Sequence, residues 1–422
     1  MTEHKHLKEL VRARMTRTGE SYSSARRQVI AQASESPQPS QYPHHFPGSI
    51  PAAAALRGLL SHAGVRHPRT KAPFSEAMTF GIAGGIGAGM FTFHYAKEKV
   101  STFYVAGRHL WQDHVAWAQG AANRLGLKTV IKESSGVKPA EKQLRELLEG
   151  GRPVLAWVEG YRVIAIHGID DSAGVALVGD QAHEPIPIPL ADLALTRGRI
   201  KSYKNRLLAL EPAARTPDLA PLVRASVSAC ATGLVKGKMK NFTLEVFGTW
   251  ADRLDGSKAA DSWEKIFPPG PLLFRGLSSI AEYVEHSGTG GGLCRPMFAE
   301  FLEEAATALN DKKLAPLAGV YRALGDQWTA LAEAALSDDV PVFREAKERL
   351  SRKSELLASG SPEAVEELRR CSQEAEIQGA KMKDAFPLDG AATMALRREL
   401  KRRVSALYQA EKEAVGMLQD WV

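Results

Sequence analysis

Near residue 212 the hydrophobic pattern of this 422-residue chain changes its period, and that change limits the folds open to it. From His44 to Pro212, helical stretches alternate with apolar runs of strand length. Helices are expected over Ala52–Ala63, behind a proline suited to a first turn, and over Ala106–Leu125 and Pro139–Glu149. Short strands over Pro153–Val158, Arg162–Ile166, Gly174–Val178 and Pro185–Pro189 follow, with Asp170-Asp171-Ser172 as a turn. Strands in succession after helices indicate an α+β unit whose sheet pairs locally and antiparallel.

From about residue 213 helical spacing takes over. Phe298, Phe301, Leu302, Ala305 and Ala306 form one apolar stripe; Leu317, Val320, Tyr321, Leu324 and Trp328 form another. Leu350–Leu357, Ala364–Cys371 and Met394–Leu418 supply the last helices. The expected organisation is a basic helical arm and linker (1–40), an α+β domain (41–212) and a helical domain (213–422). No fixed-period repeat is visible, which argues against a solenoid.

Charge and cysteine usage exclude several classes. Lys+Arg 55 against Asp+Glu 48 leaves +7, and residues 1–34 alone carry seven basic and three acidic side chains. The body is therefore near neutral, and a protein-wide nucleic-acid surface is not expected. The arm is expected to bind polyanions weakly or to act as a docking appendage. Cys230, Cys294 and Cys371 are too few and too far apart for a disulfide framework or a cysteine zinc site, which suits a reducing compartment. The charged N-terminus lacks a signal-peptide apolar core, and no apolar run reaches bilayer length. A soluble cytoplasmic protein without membrane contact is expected.

Two glycine clusters stand out. Gly81 to Gly89 lacks the preceding strand and following helix of a dinucleotide fingerprint, so it is read as a tightly packed helix-to-strand turn. Ser287 to Leu293 feeds a helix beginning near Arg295, where free N–H groups suit an anion. Gly290, Gly291 and Arg295 are thus candidate ligand-binding residues; the other reading is a turn packed on the first domain, with Arg295 paired to a carboxylate. Among the histidines, His167 and His183 flank Asp170, Asp171 and Asp180 and make the best titratable cluster. No metal site and no cofactor are expected.

The segment His45-Phe46-Pro47-Gly48-Ser49-Ile50-Pro51 with Ala52 to Leu60, then Phe74-Ser75-Glu76-Ala77-Met78 and the first glycine cluster, resembles the N-terminal domain of the butirosin biosynthesis protein BtrH family. Gly151-Arg152-Pro153-Val154, Gly168-Ile169-Asp170-Asp171 and Val178-Gly179-Asp180 continue the resemblance. Trp263, the run at 288–293, Phe301 to Ala306 and Trp328 resemble the family's helical partner domain of uncharacterised role. The resemblance implies a papain-like, cysteine-peptidase-type fold and acyl transfer from an acyl carrier protein to an amine. That chemistry needs a Cys at a helix N-terminus, a His to activate it and an Asp to orient the His.

This chain departs from that pattern where it matters. Ile50-Pro51 stands where the family has His-Cys, and Arg162 stands at the family His, while Asp180 is kept. Proline is no nucleophile, and a guanidinium stays protonated at neutral pH. Ser49, His167 and His183 are the neighbours that can substitute, although His167, five residues after Arg162 on a strand, is expected on the opposite face. The leading expectation is a protein with a degenerate dyad that binds an acyl, peptidyl or carrier-protein partner, or a small molecule, in specialised metabolism. Alternatives are an acyl transferase using other groups and a nucleic-acid-associated protein acting through its arm.

Overall fold

A computed structural model describes residues 44–422 apart from 96, 109–113, 183, 238–239 and 362–363. The arm and His183 lie outside the described residues. Helix α1 (Pro51–His62) opens with proline, whose fixed φ and missing N–H suit a first turn. Its small residues and leucines are buried on nearly every side, so it forms the centre of the first region. Helix α2 (Glu76–Ile82) is capped by the Ser75 hydroxyl, which accepts the Met78 N–H. A hairpin of β1 (Gly89–Tyr95) and β2 (Val100–Ala106) follows.

The main sheet collects strands from across the rest of this region. After α3 (His114–Arg124) come β3 (Thr129–Lys132), α4 (Val137–Glu149), β4 (Val154–Val158), β5 (Arg162–Asp170), β6 (Val175–Gly179), β7 (Ile186–Pro189), α5 (Leu190–Gly198) and β8 (Leu207–Leu210). Spatial order is β3-β8-β4-β5-β6-β7, with every neighbour antiparallel. Strand β4 shows why the sheet needs cover on both sides. Leu155 and Trp157 enter the main core with α1, while Val154, Ala156 and Val158 enter a second cluster with Leu144, Leu147 and Leu193 of α4 and α5.

The remainder is helical: α6 (Leu219–Val235), α7 (Glu245–Leu254), α8 (Trp263–Ile266), α9 (Pro271–Ala281), α10 (Arg295–Leu309), α11 (Leu314–Ala335), α12 (Pro341–Ser359), α13 (Ala364–Lys381) and α14 (Gly390–Trp421). The Phe298/Phe301 stripe of α10 is seated on the first glycine cluster. A side chain at Gly85 meets Phe298 at 2.5 Å, and one at Gly81 meets the Phe301 ring. The cluster is therefore a close-packed helix-to-strand turn, and one hydrophobic core runs from Ile50 to Leu418 across both regions. None of the helices among the described residues is long and apolar enough to cross a membrane.

Three details depart from the sequence reading. Of the helix expected over Ala106–Leu125, His114–Arg124 is described as helical, while Val100–Ala106 belongs to a hairpin, so Ala106 ends a strand. Strands β3 and β8 were not expected; each is four residues long, and β8 gains its place by pairing with both β3 and β4. Strand β5 runs four residues past Ile166, through a bulge between Ile166 and Gly168.

Candidate functional site

A cavity of about 380 Å³ opens where the N-terminal end of α1 meets the helical region. From the first region it is lined by Pro51, Ala52, Arg162, Val163 and Gln181. From the helical region come Glu282, Tyr283, His286 and Gly288, then Leu350, Lys353 and Leu357 of α12. Its size and mixed lining are those of a small-molecule site. Residues Glu282–His286 form a π-helical turn that continues α9, a widened turn that often re-aims side chains at functional sites.

The structure places Pro51 and Arg162 on this one cavity and joins Arg162 Nη2 to Asp180 Oδ2 in an ion pair. The pair is lopsided. Asp180 is 4% exposed, and its Oδ1 accepts the Ala182 N–H at 3.1 Å, whereas Arg162 is 34% exposed. The pair is thus a buried carboxylate behind a partly open guanidinium. Across the cavity Lys353 Nζ lies 2.8 Å from Glu282 Oε1. Burial lowers the proton affinity of His286, with Glu282 opposing and Lys353 adding to the effect.

Ser49 and His167 are not among the described residues lining the cavity. Ser49 sits in the turn before α1, where Glu76 accepts its N–H at 3.0 Å and that of Ile50 at 2.7 Å. Burial raises the Glu76 proton affinity against those hydrogen bonds and the nearby Arg57. His167 occupies the β5 bulge and packs on His45, ring centres 6.1 Å apart. Burial, then the charges of His45, His62 and His44, pushes its pKa down to about 3.

The second glycine run packs closely against its surroundings. Gly290 faces the first region, where a side chain would meet Ser49 Oγ at 3.1 Å and Ile50 Cγ1 at 3.3 Å. A side chain at Gly292 would meet Gly325 Cα at 2.9 Å, and one at Gly291 would come nearest Glu285. All three have positive φ, as do Leu293 and Cys294, where side chains adopt that conformation at a cost. Arg295, read from sequence as an anion ligand or a carboxylate's partner, is fully buried: Nε is 2.7 Å from Glu411 Oε1, and Nη1 donates to Leu293 O and Gly87 O. Glu411 also accepts from Trp328 Nε1 at 2.8 Å.

The three cysteines are buried and free. Burial pushes the Cys230 thiol up to about 11 and Cys294 to about 12. No group of three His, Cys, Asp or Glu among the described residues is arranged to hold a metal. Sequence reasoning missed the helical half of the cavity, since Tyr283, His286, Lys353 and Leu357 belong to separate helices with no motif to link them.

The family comparison bears on this same place. Residues 51–163 match the family model described as butirosin biosynthesis protein H, N-terminal, and residues 190–358 match a domain of unknown function, DUF4872. The chain is a BtrH-like protein. The first match begins at Pro51 and ends at Val163, two residues that both line the cavity. The second starts inside the sheet-bearing region, at the first residue of α5, and extends through Leu357. Both matched segments of this BtrH-like chain therefore contribute cavity walls. No curated protein matches the chain.

Proposed function

We propose that this BtrH-like protein binds an acyl or peptidyl molecule, free or borne by an acyl carrier protein, in the interdomain cavity without forming a covalent thiol intermediate. In this reading residues 41–212 are a papain-like domain, 213–422 the helical partner, and the protein serves specialised metabolism in the cytoplasm. The observation that carries it is the cavity wall itself. Pro51 stands at the helix N-terminus where a nucleophile would stand, Arg162 stands beside it in place of a base, and Asp180 is spent on Arg162. A proton cannot be relayed through a guanidinium, and no thiolate is within the lining.

The helical wall supports binding over turnover as well. Gly360, at φ 62, brings the end of α12 onto the first region, where a side chain would lie 2.6 Å from Ala182 Cβ. The α12 wall is thereby held over Pro51 and Arg162 at its C-terminal end. The test is equilibrium binding of an acyl-pantetheine thioester to the full chain, alongside Leu357→Trp to fill the cavity. Saturable binding by the parent and none by Leu357→Trp is expected; rapid thioester hydrolysis or acyl transfer by the parent, lost in Asp180→Ala, contradicts the reading.

A further inference from the structure

The geometry points to a small amphiphilic carboxylic acid as the cavity's ligand, its carboxylate on Arg162 and its apolar chain against Leu350 and Leu357. This rests on the reading that the cavity works without a thiol, and deepens it by naming the chemical class. The asymmetry of the Arg162–Asp180 pair is the main argument. The carboxylate is turned inward and both its oxygens are engaged, so the cavity meets the positive end of the pair. A guanidinium has five N–H donors in a rigid fork, and Asp180 takes one of them at Nη2, leaving a planar face suited to a second carboxylate.

The rest of the lining fixes the charge and shape of that ligand. Ala52, at the second position of α1, has no acceptor for its N–H within its own helix and lies on the same wall, adding a weak preference for an anion. Lys353 is balanced by Glu282 within the cavity, and burial disfavours the charged form of His286. Asp180 likewise balances Arg162, but from behind, so a single guanidinium faces the ligand side. That suits a singly charged head; a phosphate dianion would find no second cation in the described lining free of a carboxylate partner. Pro51, Val163, Leu350 and Leu357 supply the apolar surface a hydrocarbon or aryl tail requires.

The test is titration calorimetry of the full chain with octanoate, octanamide and octyl phosphate at pH 7.5. Octanoate should bind, with octanamide and octyl phosphate each roughly tenfold weaker or worse, the scale of one charge-assisted hydrogen bond. The double variant Arg162→Gln/Asp180→Asn leaves no buried charge unpaired, so it should melt near the parent yet bind octanoate and octanamide alike. Leu357→Trp should abolish octanoate binding. Absence of octanoate binding, tighter binding of octyl phosphate, or a double variant that still prefers octanoate overturns the assignment. Equal binding of octanoate and octanamide, abolished by Leu357→Trp, overturns the carboxylate class and leaves the thiol-independent cavity standing. Acyl transfer to a cysteine from octanoyl-pantetheine overturns that underlying reading instead.

Discussion

Two arginine–carboxylate pairs of the same chemistry sit in this molecule under opposite conditions. Arg295 and Glu411 are both wholly buried, with Trp328 Nε1 donating to the same Glu411 oxygen. Arg162 and Asp180 lie at a cavity wall, the carboxylate buried and the guanidinium one-third exposed. The first arginine is closed off from water, its Nε and Nη1 held by a carboxylate and protein carbonyls; the second keeps donors toward an open volume. What separates a structural ion pair from a recognition group here is which partner faces water, a property of packing that neither residue type carries.

The largest expected effect separates the pairs by stability. Glu411→Ala leaves Arg295 as an uncompensated charge at the centre of the shared core, and urea denaturation should show a loss of about 3–5 kcal/mol. Asp180→Ala releases an arginine that can turn to solvent, so its loss should be smaller, about 1.5 kcal/mol. Equal losses for the two variants would break the comparison. At Gly360, replacement by valine forces both a positive φ and a contact with Ala182, so the end of α12 should lift from the first region. Ligand binding should weaken more than the thermal transition shifts; the reverse would mean that α12 is not a cavity wall held by its tip.

A smaller effect concerns acid. The His167 pKa is held at about 3, well below the 6.5 of an unfolded histidine, by burial and then by His45, His62 and His44. Below about pH 6.5 the unfolded chain binds a proton that the folded chain refuses, so the stability contributed by neutral His167 is present above that pH. It is lost as pH falls toward 3, by up to about 1.4 kcal/mol per pH unit for this one group. Denaturation midpoints measured from pH 7 to 4 should fall less steeply in His167→Gln than in the parent. An unchanged slope would show that the histidine cluster is not what the acid limb reports.

Periodic and local signals carried much of this architecture. Proline ahead of an alanine-rich run marks α1 within one residue, and short apolar runs mark β4 to β6. The glycine cluster before β1 was legible as a packed turn because it lacks the flanking strand a nucleotide loop needs. Strands β3 and β8 were not legible: four-residue runs acquire strand character by pairing with each other and with β4. The site divides the same way. Pro51, Arg162 and Asp180 could be named from motif positions, but Arg295 could not be told from a ligand-binding arginine until Glu411, 116 residues away, was seen beside it. Lys353 and Tyr283 reach the cavity only through the packing of helices.

Intact-mass spectrometry of the full chain after incubation with an excess of an acyl-pantetheine thioester addresses the central claim most directly. Pro51 and a protonated Arg162 provide neither nucleophile nor base, and buried thiols held at about 11 and 12 stay protonated at neutral pH. The account predicts an unchanged protein mass under conditions where the same ligand binds saturably. An added acyl mass, mapped to Cys230, Cys294 or Cys371, would contradict it.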